Sequence, residues 1–130
     1  MHEASTARVV GDRTDVASLR AGFEDRLGNR PTVARVDTIG NEIDRLETEP
    51  PACLVCMTLP EPWSPGEVLA AVRERRPDLP VVIVGDDERV RELAGSQATT
   101  VLASDATGGR IVAAVEETID RAAATSDRTM

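Results

Sequence analysis

Cys53 and Cys56 are the chain's two cysteines, and their Cys-x-x-Cys spacing is one that redox and metal sites use. Such sites hold both thiols toward one point, on a turn or a helix start. Here the pair lies in the apolar run 52–59 (Ala-Cys-Leu-Val-Cys-Met-Thr-Leu). On a strand, residues three apart point to opposite faces. The pattern therefore predicts two buried core thiols, not a dithiol centre. A nucleophilic Cys56 would need a base, and the one histidine, His2, stands in the N-terminal tail. Four aspartates form the other group with chemical potential: Asp12, Asp86, Asp87 and Asp105. Gathered together they could hold a divalent cation, with Asp12 the candidate ligand. Each also lies just ahead of an expected helix, where an aspartate caps free N–H groups. Capping accounts for them without a metal, so no metal and no cofactor are expected.

Composition narrows the function classes. The 23 acidic residues exceed the 15 basic ones for a net charge of −8, and every basic residue is arginine, none lysine. That balance argues against binding nucleic-acid phosphates or an anionic membrane. The densest basic cluster is Arg73, Arg75 and Arg76. An acidic, lysine-free chain is the expected solution for a halophilic, haloarchaeal source, and GC-rich coding produces the same arginine preference. The aromatic share is 2%, so the core must be aliphatic. No apolar run reaches the roughly 18 residues of a membrane span, the N-terminus has no signal-peptide core, and both thiols fit a reducing compartment. A cytoplasmic protein is expected.

The elements that must position these residues alternate along the chain. Residues 7–10 form a short β-branched run ending at Gly11-Asp12. Over 15–27, Val16, Leu19, Phe23 and Leu27 recur at helical spacing. Residues 32–36 read as a strand. Ile39, Ile43 and Leu46 mark a second helix, stopped before Pro50-Pro51. The run 52–59 is apolar enough for a strand covered on both faces. Ser64-Pro65-Gly66-Glu67 predicts a helix start: Ser as N-cap, Pro at the first position, Glu at the third. Residues 81–84, all Val or Ile, are the clearest strand. Asp86 and Asp87 begin a short helix through Leu93, 100–103 is a weaker strand, and Gly108-Gly109 precede a last helix. Strands alternating with helices predict right-handed crossovers and a parallel sheet covered on both faces. The expectation is a flavodoxin-like three-layer α/β sandwich, with a five-stranded sheet in the order 2-1-3-4-5 and five helices. One domain over 7–124 is expected, with loose tails at 1–6 and 125–130. In such a sheet, functional residues follow the carboxyl ends of the strands.

From Pro51 to Gly85 the residues resemble the middle of a response-regulator receiver (CheY-like) domain. The apolar third strand, Leu59-Pro60 in the loop, Glu67-Val-Leu-Ala-Ala-Val-Arg73 and Pro77-Asp-Leu-Pro-Val-Val-Ile-Val84 stand in that order. The resemblance implies an acidic pair after the first strand for Mg²⁺ and a nucleophilic Asp at the end of the third. It further implies a Thr or Ser after the fourth strand and a Lys after the fifth. A carboxylate attacks phosphorus only when cations offset the repulsion between two anions.

This chain departs from that set. Gly11 and Asp12 stand at the acidic pair, leaving one acid. Met57 or Cys56 stands at the phosphoacceptor position, according to whether one counts from Glu67 or from Pro60. Val84 or Gly85 replaces the hydroxyl residue and Ser104 the lysine. The expectation is a degenerate, non-enzymatic pseudo-receiver of a signalling pathway. Because the chain ends soon after the last helix, it is expected to stand alone and act in trans on a protein partner, or as a homodimer. The alternative is a flavodoxin-like domain that binds or converts a small ligand, although Gly11-Asp12-Arg13-Thr14 lacks the glycine spacing of a phosphate loop. By resemblance alone, the face bearing Arg89, Arg91 and Arg110 is the candidate contact surface. Trp63 either folds back over the degenerate pocket or anchors a partner.

Overall fold

The computed structural model describes residues 6–24, 32–36, 38–85, 98–103 and 105–128. Strands and helices alternate as β1 (Thr6–Val10), α1 (Arg13–Glu24), β2 (Thr32–Arg35), α2 (Ile39–Arg45), β3 (Cys53–Cys56), α3 (Pro65–Arg75), β4 (Val81–Val84), β5 (Thr99–Leu102) and α4 (Gly108–Arg128). Every strand pair is parallel, and the sheet order is β2-β1-β3-β4-β5. The expected three-layer sandwich is thus present, with four helices among the described residues. The helix expected over 86–93 lies outside them.

The layers follow from the side-chain pattern. All four residues of β3 are buried, as a central parallel strand requires. Strand alternation then divides the core in two. Val9, Cys53, Val55 and Val82 face α1 and α4, where they meet Val16, Leu19, Phe23 and Val115. Val10, Leu54, Cys56 and Ile83 face α2 and α3, where they meet Ile43, Leu46, Leu69 and Val72. Each fully buried aliphatic side chain contributes about 1.5–3 kcal/mol relative to exposure. An aliphatic core therefore suffices without aromatic bulk.

Strand β5 runs Thr99–Leu102 rather than 100–103, and β2 ends at Arg35 rather than 36. Four further boundaries differ from the expectation for physical reasons. Helix α1 starts at Arg13 rather than at 15, because Asp12 caps it: the Asp15 N–H donates to Asp12 Oδ1 at 2.9 Å. Strand β3 is shorter than the run 52–59, because the Met57 and Thr58 N–H groups both turn onto the Val10 carbonyl, at 2.9 and 3.1 Å. Helix α4 continues to Arg128, past 124: three consecutive alanines at 122–124 favour helix, and no Gly or Pro in 125–128 interrupts it. Strand β1 begins at Thr6, inside the expected tail, and its carbonyl there accepts the Ala52 N–H at 2.7 Å. The start of α3 is as the sequence predicts: Ser64 and Glu67 close a reciprocal capping box behind Pro65.

Candidate functional site

The carboxyl edge of the sheet carries the expected positions. Val10 and Cys56 are register partners, so the ends of β1 and β3 lie side by side. Beyond them, Gly11, Asp12, Arg35, Val36, Thr58 and Leu59 line an open cleft of about 250 Å³.

The carboxylates just after β1, Asp12 and Asp15, are engaged by the protein itself. Asp15 returns the cap of Asp12, its Oδ2 accepting the Asp12 N–H at 3.0 Å. The same Oδ2 accepts the Thr58 hydroxyl at 2.8 Å. Across the cleft, Arg35 Nε donates to the Gly11 carbonyl at 2.9 Å. Gly11 is needed for this arrangement. A β-carbon built on it would stand 2.5 Å from Asp15 Oδ2, far inside contact distance. Asp15, Thr58 and Arg35 were not among the sequence candidates. The one available signal was Asp12-x-x-Asp15 in capping-box spacing.

The end of β3 bears no acid. The Cys56 side chain is buried on the α2–α3 face, and burial pushes its thiol pKa up to about 12. Met57 is partly buried and packs against the α1–α4 core. Cys53 lies on that α1–α4 face too, opposite Cys56. Both cysteines are free thiols, as strand alternation predicts. Among the described residues, no three His, Cys, Asp or Glu side chains gather as metal ligands.

At the end of β4, Val84 is partly buried and Gly85 follows with φ +141°, a backbone conformation that favours glycine. The Gly85 N–H donates to the Leu102 carbonyl at 2.8 Å, holding the tips of β4 and β5 together. Asp105 is exposed, whereas Ser104, Asp86, Asp87, Arg89 and Arg91 lie outside the described residues. Arg110 is exposed in the first turn of α4, its N–H held by Thr107 Oγ1 at 3.2 Å. Trp63 closes a tight turn, its N–H donating to the Pro60 carbonyl at 2.9 Å. Its ring is partly buried against the α2–α3 core and does not line the cleft.

No family model matches the chain, and no curated protein does. Solved structures do match. A response regulator receiver protein from Sinorhizobium medicae WSM419 is 18% identical with a TM-score of 0.69, covering 92% of this chain and 98% of that one. A CheY-like response regulator receiver domain protein from Methanospirillum hungatei JF-1 is 16% identical at TM-score 0.69, covering 95% and 99%. The N-terminal domain of a response regulator/sensory box/GGDEF three-domain protein from Carboxydothermus hydrogenoformans is 14% identical at TM-score 0.71, covering 94% and 98%. The fold of this chain is therefore that of the CheY-like receiver. Among the described residues, no helix is long and apolar enough to cross a membrane.

Proposed function

We propose that this chain is a pseudo-receiver: a receiver-fold module that acts by contact with a protein partner in signal transduction, without an aspartyl phosphate. The observation that carries this reading is the end of β3, where Cys56 and Met57 stand in place of a carboxylate. A buried thiol held protonated is no substitute nucleophile. With no lysine in the chain, that cation is also missing for an incoming phosphoryl group. The residues do not fit Mg²⁺ either. That ion demands oxygen ligands in near-octahedral array, whereas Asp12 and Asp15 serve as a helix cap and β3 ends in sulfur-bearing side chains. The outer part of Trp63 and the exposed Arg110 are the contact residues we assign among those described. Arg89 and Arg91 join them by resemblance.

The test is intact mass after incubation with a small-molecule phosphodonor and Mg²⁺, in high salt to screen the net charge of −8. Folded protein is expected to show no mass gain. A gain of one phosphoryl mass overturns the reading. The cleft of about 250 Å³ favours one second reading, a small-ligand-binding domain. Ligand-dependent thermal stabilisation abolished by Arg35→Gln would support it.

A further inference from the structure

We propose that Arg20 is an edge guard: it closes the β2 edge of the sheet to strand addition by β2 of a second copy of this chain. β2 is an outermost strand, paired with β1 on one side. The Val36 N–H donates to the Val9 carbonyl at 2.9 Å, and Arg35 lies level with Val9. Thr32, Ala34 and Val36 therefore turn their backbone groups toward β1, and the N–H and C=O groups of Val33 and Arg35 point out of the sheet. Such an outward row is a template for another strand.

The row is self-complementary. A two-fold axis at Ala34 sets Val33 of one copy opposite Arg35 of the other. Antiparallel residues opposed in this way exchange both N–H···O bonds, and the two sheets become one. The contact is isologous, the commonest geometry of a homodimer. Ala34 meets its own copy at the axis, where a small side chain leaves room.

Arg20 blocks that pairing from α1. Its guanidinium donates to the Val33 carbonyl at 3.2 Å, the acceptor that the Arg35 N–H of a second copy would need. Among the described residues, the outward groups of Val33 and Arg35 make no other hydrogen bond. Charge adds to the block, because the two-fold axis brings both Arg20 cations to one seam, and an edge cation disfavours pairing. The inference rests on the strand register and does not depend on the pseudo-receiver reading.

The test is sedimentation of the full chain over a concentration series, in high salt to screen the net charge of −8, with amide exchange read by NMR. In the wild type, the Val33 and Arg35 amides should exchange at the same rate at every concentration. Arg20→Ala should double its mass as concentration rises, and those two amides should slow about tenfold in step. Adding Arg35→Pro should abolish the doubling, because it removes an outward N–H and no bond to β1. The proposal is overturned if Arg20→Ala sediments as the wild type does, or if its assembly leaves the two amides unprotected or survives Arg35→Pro. Concentration-dependent protection in the wild type also overturns it. Should Arg20→Ala fail to fold, Arg20→Met decides: it keeps the apolar stem without the donor and must double in mass, and unchanged sedimentation overturns the guard.

Discussion

Thr58 Oγ1 donates to Asp15 Oδ2 across 2.8 Å, joining the loop after β3 to the first turn of α1. The acceptor oxygen also holds the Asp12 N–H, so one carboxylate serves a helix cap and a tertiary bridge. Thr58→Val keeps the shape and removes the donor, and is expected to cost about 1 kcal/mol. Asp15→Ala removes both roles and should cost about 2 kcal/mol. A double-mutant cycle by urea unfolding should give a coupling of about 1 kcal/mol. Strict additivity would show that the bridge contributes nothing.

Gly11 and Asp15 are sterically matched. Because a β-carbon at position 11 would meet Asp15 Oδ2 at 2.5 Å, Gly11→Ala should destabilise by about 1–3 kcal/mol. Combining it with Asp15→Ala removes the carboxyl atoms at 2.5 and 3.1 Å and leaves only the Asp15 β-carbon at 3.0 Å, so the double variant should lose less than the two single losses together. The same collision bears on rebuilding an acidic pair. Gly11→Asp alone should yield no measurable Mg²⁺ binding by calorimetry, and a saturable isotherm would contradict that expectation.

What the sequence revealed was what local chemistry determines. The alternation of apolar runs with amphipathic segments was enough to order the sheet, and the Ser64–Glu67 box is visible because its partners are three residues apart. Strand alternation likewise put Cys53 and Cys56 on opposite faces. The site was harder to read. Thr58 and Asp15 are 43 positions apart and meet only once β1 and β3 pair. Arg35 reaches Gly11 only because β2 lies beside β1. At α4, Gly108-Gly109 drew attention from Thr107, the residue whose hydroxyl accepts the Arg110 N–H. Trp63 was ambiguous because the turn from Pro60 decides which way its ring faces.

Arg8 of β1 pairs with Glu42 of α2 at 2.8 Å, with the side chains only 12% and 4% exposed. Removing one partner of a buried pair strands the other charge, so Glu42→Ala should cost about 3 kcal/mol. Replacing both by apolar residues avoids that penalty. Arg8→Met with Glu42→Leu should therefore recover most of the loss in chemical denaturation. If the double variant is as unstable as the single, the pair is not acting through its buried charge.

The two thiols set an alkaline limit on stability. Burial raises both pKa values, that of Cys56 from 9.0 to about 12. A thiol is neutral when protonated, so between those values the folded chain retains a proton that the unfolded chain releases. The stability gained by keeping Cys56 neutral is therefore complete below about pH 9 and is lost as pH rises toward 12. Cys56→Ala should flatten that part of the profile, measured as urea midpoint against pH, while lowering stability at neutral pH through the cavity it leaves. Iodoacetamide should label neither thiol in the folded chain at pH 8 and both in urea. Rapid labelling of the native protein would mean that the strand carrying them is open to solvent.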